Sequence, residues 1–292
     1  MEEINSVIAD KKPSTQDAYK KDYKRLRMLL DVDKIINDNQ LTKPIEIMIG
    51  LIKNSDFSNH TKKNLFSMLI MILKNNGNFE DEQQLAFNER DIILNQIDSE
   101  RKDKNKVLLK TLPTQKSIDK DLNEFYTEKQ YLKYIINYLV ITYNLRNKDL
   151  CLKVVSSMKQ TKDKEFNYLV VTEKYITFIR NVYKTAPTYG KKENRIQNNK
   201  FRDALLNYLQ SQNVDYKNQE HVIFKNKAGE PLDCTKIGDR LKYLLITNET
   251  KLNKIKVKDI NNKPNTIKKL KKMEKNRGTN VNTIITYYSI EN

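Results

Sequence analysis

Between residues 150 and 183 the apolar side chains stop recurring at helical spacing. The segments LCLKVVSS, NYLVVT and YITFIRNVYKT are rich in Val, Ile, Tyr, Phe and Thr, and the polar breaks MKQTKDKEF and EK separate them. Runs of β-branched and aromatic residues between polar breaks predict strands and hairpins. Helical patterns flank this stretch on both sides, so the chain reads as mainly α with a small β-hairpin or sheet, an α+β protein.

The helices before the switch form one group. Residues 14–31 open with Ser14 and Thr15 as N-cap candidates and Asp17 in the first turn, and Tyr19, Tyr23, Leu26 and Leu30 then recur at helical spacing. Pro44 starts a second helix, PIEIMIGLIKN, and Thr61 caps a third that ends at Asn76-Gly77. A fourth covers 79–105, with Leu85, Ile92, Ile93 and Ile97 on one face. These predict an N-terminal helical bundle over 1–112. Residues 106–120 read as a linker or the start of a second domain, because Pro113 breaks helix continuity and its flanks are polar.

From 121 to 145 a strongly apolar helix pattern returns, with Leu132, Ile135, Ile136, Leu139 and Val140 as the first core helix of a second domain, 113–292. Beyond the strands, the patterns predict a helix over 199–211, a short strand over 221–225 and the turn NKAGEP. Helices over 235–246 and 264–276 follow, and the tail RGTNVNTIITYYSIEN is apolar enough to dock as a last helix.

Charge narrows the function. The 292 residues carry 54 Lys and Arg against 37 Asp and Glu, a formal net charge of +17. Such an excess favours polyanions, because neutralising phosphates releases their condensed counterions. The alternative is a solvated Lys/Asn-rich surface that reflects an AT-biased genome. No run of about eighteen apolar residues exists, so no transmembrane helix is expected. The start, MEEINSVIADKKPS, lacks the basic-then-apolar layout of a secretory signal, and an intracellular protein is expected. Cys151 and Cys234 stand far apart and read as two reduced, partly buried thiols. With two histidines, His60 and His221, a structural zinc site is not expected. No GxSxG elbow is present.

Three local sequences carry a resemblance. The first is ITYNLRNKDLCLK, residues 141–153, in which an apolar helix runs into a turn with Arg146 and Asp149. The second is YITFIRNVYKTAPTYG, residues 175–190, with Lys184 after the strand and Lys174 in the hairpin turn before it. The third is RGTNVNTIITYYSIEN, residues 277–292, with Gly278, Val281, Thr283 and Tyr287 in one register and Tyr288 one residue on. A helical domain followed by a mixed domain with these motifs resembles the tyrosine recombinases, especially the divergent integrases of DNA viruses and mobile elements.

That resemblance implies a helical DNA-clamping domain and a catalytic domain that cuts and rejoins double-stranded DNA. Arg146 would hold the non-bridging oxygens of the attacked phosphate, a task suited to a planar donor that stays charged. Lys184 would protonate the leaving 5′ oxygen. Tyr287, or Tyr288 after a one-residue slip, would attack the phosphate and form a 3′-phosphotyrosyl link. Lys174, Arg180, Lys254 and Arg277 would contact DNA. No metal or other cofactor is implied, and a homotetramer on DNA is. Each residue also has a plain reading: Arg146 as a helix cap or a partner of Asp149, Lys184 as a surface lysine, and the two tyrosines as packing for a C-terminal helix.

The sequence departs from the family in one window. The family's His-x-x-Arg box is expected within 246–260, ITNETKLNKIKVKDI, which holds neither His nor Arg; Thr250 and Asn253 stand in the nearest register. Lys251 or Lys254 could supply charge but not a bidentate fork. Thr279 replaces the histidine of the family's Gly-His turn, and Arg277 and Arg240 are the remaining arginines of this half that could fold into the site. Each lost donor costs on the order of 3 kcal/mol of transition-state stabilisation. Three readings therefore stand: an active recombinase, a catalytically degenerate relative that binds DNA, and a helical scaffold whose charge reflects codon bias.

Overall fold

The computed structural model describes residues 2–233, 236–261, 266–277 and 280–288; among others, the side chains of 276–277 and 286–288 lie outside the description. The chain divides into two compact units, Met1–Leu108 and Leu109–Asn292. Helix predominates in both, and one five-stranded sheet lies in the second, consistent with an α+β chain.

The first unit opens with α1 (Glu2–Ile8) and α2 (Pro13–Leu30). Pro13 sits at the start of α2, where its missing N–H is no loss, and no side chain of Ser14 or Thr15 caps it. Tyr23, Leu26 and Leu30 form the buried stripe. A hairpin of β1 (Ile36–Asn37) and β2 (Gln40–Leu41) follows, and Asp38 and Asn39 both take left-handed φ values, 49° and 58°. That pair is what a type I′ turn requires. The hairpin leads to α3 (Ile45–Asn54) and α4 (Asn59–Asn76). The cap of α4 is Ser58 rather than Thr61: the Ser58 hydroxyl accepts the Thr61 N–H. Gly77 ends the helix at φ 73°.

The stretch expected as a linker is largely helical. Helix α5 (Glu80–Thr111) continues through the polar residues, and α6 (Gln115–Thr127) starts four residues later. Ion pairs one turn apart, Asp98–Arg101, Glu100–Lys104 and Asp103–Lys106, support the solvated part of α5. Thr114 accepts the Ser117 N–H and caps α6. Pro113 still separates the two helices.

In the second unit α7 (Tyr131–Tyr143) supplies the centre of the core; Ile135, Ile136 and Leu139 have no exposed surface. The sheet consists of β3 (Leu152–Val155), β4 (Asn167–Val171), β5 (Ile176–Arg180), β6 (Lys192–Ile196) and β7 (His221–Val222), in the order β6-β5-β4-β3-β7. β3 and β4 run parallel, and the other neighbours are antiparallel. Leu169 and Val171 face the main core, whereas Tyr168 and Val170 pack with Val155 and Ile179 on the other face. Burial on both faces is why β4 reads as a continuous apolar run. The short helix α8 (Ala186–Tyr189) lies within the β5–β6 connection.

Helix α9 (Asn199–Ser211), capped by Asn198, packs on α7, and Tyr138 meets Phe201 with ring centroids 4.8 Å apart. Of the helix expected over 235–246, the described residues form α10 (Ile237–Leu241). Helix α11 (Glu249–Asn261) then joins α12 (Thr266–Arg277) and α13 (Val281–Tyr288) around Val257, Ile260, Leu270, Met273 and Ile284. Cys151 is buried and disulfide-bonded, which corrects its reading as a reduced thiol; Cys234 lies outside the described residues.

Candidate functional site

Helix α7 ends because Asn144 takes a left-handed conformation, φ 54°, which turns the chain out of the helix. Arg146 follows, half-buried, at the head of a 3₁₀ turn over Asn147–Leu150. Its backbone N–H donates to Asp149 Oδ2 at 3.2 Å. The Asn147 N–H donates to Glu249 Oε2 at 3.2 Å, so α11 also holds this turn. Asp149 has no exposed surface. Burial pushes its carboxyl up to about 6, against the Arg146 N–H bond and the nearby Arg180 and Arg146 charges, which pull it down.

The partner of that carboxyl is Arg180, the last residue of β5. Its Nη1 lies 3.8 Å from Asp149 Oδ2, and its side chain has no exposed surface. Arg180, expected as a DNA contact, has its guanidinium in the interior, with the ring centroids of Phe178 and Tyr183 at 5.8 and 5.5 Å. It also lines a cleft of about 490 Å³, together with Tyr189, Lys191, Lys192, Glu274 and Lys275.

Lys192 pairs with Arg180 across the β5–β6 ladder. Its ammonium lies 4.8 Å from the Tyr183 ring and 5.3 Å from the Tyr189 ring, and it donates to the Lys275 carbonyl oxygen. Burial, followed by the charges of Arg180, Arg146 and Lys275, brings its pKa down to about 8, while Asp149 opposes the shift. The Tyr183 hydroxyl donates to the Gly190 carbonyl at 2.6 Å and closes the loop between β5 and β6. Lys184 stands exposed in that loop, and Lys174 stands exposed in the tight β4–β5 turn, where Thr172 and Tyr175 bond to each other.

The remaining expected residues are less concentrated. Lys254 is buried on α11. On the same helix Thr250 is exposed, and Asn253 is buried with Nδ2 donating to the Glu249 carbonyl at 2.9 Å. The side chains of Arg277, Tyr287 and Tyr288 lie outside the described residues. The start of the tyrosine-bearing helix is defined: Asn280 Oδ1 accepts the Thr283 N–H at 2.7 Å, and Glu274 Oε1 accepts the Val281 N–H at 3.3 Å. Glu274 belongs to the cleft wall, so α13 begins beside the cleft.

The site thus brings Arg146, Asp149, Arg180 and Lys192 into electrostatic contact. Sequence reasoning missed Lys192 and Glu274. The available signal was the alternating pattern KENRI, which forms the edge strand opposite β5. Among the described residues no group of three or more His, Cys, Asp or Glu could hold a metal ion, and no helix is long and apolar enough to cross a membrane. The chain matches no protein-family model, no curated protein and no solved structure.

Proposed function

We propose that the chain binds double-stranded DNA and cuts and rejoins it through a phosphotyrosyl intermediate. One observation carries the reading: Arg180 and Lys192 line a single cleft beside the Arg146 turn, and α13, with Tyr287 near its end, begins at the wall of that cleft. Two guanidinium groups and an ammonium suit a phosphodiester whose charge grows as it is attacked. The Tyr287 oxygen attacks phosphorus and its proton passes to solvent water. The P–O5′ bond breaks as the P–O bond to tyrosine forms, and a lysine ammonium, Lys184 or Lys192, gives its proton to the leaving oxygen. Rejoining reverses these steps with a new 5′ hydroxyl. Arg180, with no exposed surface, lends its charge to that phosphate from behind the cleft wall rather than by contact, in partial place of the absent His-x-x-Arg box. Four protomers on two DNA sites complete the exchange.

The second reading, a DNA-binding relative without strand cleavage, draws on α11. Thr250 and Asn253 are uncharged and Asn253 spends its amide on the Glu249 carbonyl, so neither replaces the cationic donors of the box. Nicked suicide duplexes separate the two readings. An adduct on a denaturing gel that disappears in Tyr287→Phe and persists in Tyr288→Phe supports cleavage by Tyr287; the reverse assigns Tyr288. Absence of adduct with salt-sensitive duplex binding favours the degenerate reading. Absence of binding at low salt removes both. Light scattering of the DNA complex tests the tetramer.

A further inference from the structure

Asn167 is the first residue of β4 and has no exposed surface. Its side chain makes four hydrogen bonds. Nδ2 donates to the carbonyl oxygens of Asp149 at 2.8 Å and Val182 at 2.9 Å. Oδ1 accepts the N–H groups of Asn181 at 2.7 Å and Val182 at 2.8 Å. A primary amide offers two donors and an acceptor with two lone pairs, so its capacity is fully used. The topology explains the place. β3 and β4 are parallel and β4 and β5 antiparallel, so the start of β3, the start of β4 and the end of β5 lie at one end of the sheet. Asn167, on the central strand, lies between the chain that enters β3 and the chain that leaves β5.

Those two chains are the ones that matter to the site. The first is the turn of Arg146 and Asp149; the second begins one residue after Arg180 and carries Lys184. Asn181 adds a bond of its own, Nδ2 to the Phe166 carbonyl at 3.0 Å. We propose that Asn167 is a positioning residue that locks the Arg146 turn to the chain leaving β5, so that both approach one phosphate as a unit. The phosphate rests on the function proposed above, whereas the lock stands on the hydrogen bonds alone. No other common side chain fits: Asp has no donors, Ser and Thr are too short to bridge both segments, and Gln is longer by a methylene.

The test uses the full chain as wild type, Asn167→Asp and Asn167→Ala, with amide hydrogen exchange and adduct formation on nicked duplex measured side by side. Asp keeps both acceptor contacts and turns the two donations into oxygen–oxygen contacts; Ala removes all four bonds. Protection of the β4–β5 ladder amides reports on folding. In Asn167→Asp we expect the Asn181 and Val182 amides to stay protected, and the Asn147 and Asp149 amides to exchange at least about tenfold faster. At saturating duplex the adduct rate should fall about a hundredfold with affinity near wild type, the signature of misplacement rather than lost binding. In Asn167→Ala both segments should lose protection while the ladder keeps it. Unchanged exchange at both segments in the two variants overturns the lock, as does a rate that falls only together with ladder protection. A wild-type chain that forms no adduct counts against the cleavage reading alone; exchange at the two segments still decides whether Asn167 locks them.

Discussion

Asp149 and Arg180 meet in the interior of the second unit, Oδ2 to Nη1 at 3.8 Å, with neither side chain exposed. A carboxylate and a guanidinium removed from water stabilise each other chiefly by compensating desolvation, so removing one partner leaves the other as a buried charge. Arg180→Met should therefore destabilise the fold by about 3–5 kcal/mol. Asp149→Asn, which keeps an acceptor for the Arg146 N–H, should lower that cost when combined with Arg180→Met. Urea unfolding of the single and double variants measures the coupling. Additive losses would show that the two groups are not an interacting pair.

Lys256 anchors the end of α7, the helix that leads into the Arg146 turn. Its ammonium donates to the carbonyl oxygens of Ile141 and Thr142, in the last turn of α7, where backbone acceptors lack helical partners. Burial brings its pKa down to about 8, with the Lys272 charge next in effect. Lys256→Met should release both carbonyls and cost about 1.5–3 kcal/mol. Lys256→Arg should restore part of it. Thermal unfolding followed by circular dichroism checks both, and a Met variant as stable as wild type would show that water replaces the ammonium without loss.

These contacts mark the limit of what periodicity could reveal. The helical spacing of Ile135, Ile136, Leu139 and Val140 identified the core of α7, and the Val- and Ile-rich runs identified β3, β4 and β5. Both signals come from apolar residues that need burial on a face. β6 escaped because KENRI is a polar edge strand exposed on alternate residues. Helix α11 escaped because its lysines interrupt its apolar residues, which split between two faces: Leu252 and Ile255 pack in the main core, Val257 and Ile260 against α12 and α13. The buried polar groups had no local signature. Asn137 bonds the Leu244 carbonyl and the Ile246 N–H, and Asn167 bonds Asp149, Asn181 and Val182, all distant in sequence. Arg146 and Asp149 stood out as neighbours, yet the carboxylate takes the Arg146 backbone N–H and faces the Arg180 guanidinium.

His221 gives the fold an acid-side dependence. The ring is buried against Tyr208, centroids 6.0 Å apart, and its Nε2 has no hydrogen-bond partner among the described residues. Burial, assisted by the Lys225 charge, pushes the imidazole down to about 4 from 6.5. The unfolded chain therefore binds a proton at a pH where the folded chain does not, and stability falls as pH drops from 6.5 toward 4. Asp149, raised to about 6, acts in the opposite sense over much of that range, since its folded form holds the proton longer. His221→Phe should remove the histidine part, at most about 3 kcal/mol, and leave a chain that gains stability on acidification. Denaturant midpoints of both chains across this range measure the difference. Parallel curves would rule out a histidine contribution.

Lys192 makes the complementary prediction on the alkaline side, for binding. Its pKa is lowered to about 8, so the ammonium is present below that value and lost as pH rises through it. If the cleft holds a phosphate, duplex affinity falls through the same interval, and the slope of log affinity against log salt shrinks by about one ion. A bound phosphate favours the ammonium, so the midpoint in the complex lies above that of the free chain. Lys192→Arg keeps its charge and should bind without this pH dependence. Lys192→Met should bind weakly and with little change over the whole interval. Fluorescence anisotropy of a labelled duplex, measured at several salt concentrations on either side of pH 8, separates the three chains. If Lys192→Met reproduces the wild-type pH curve, some other group titrates and the Lys192 ammonium does not touch the DNA.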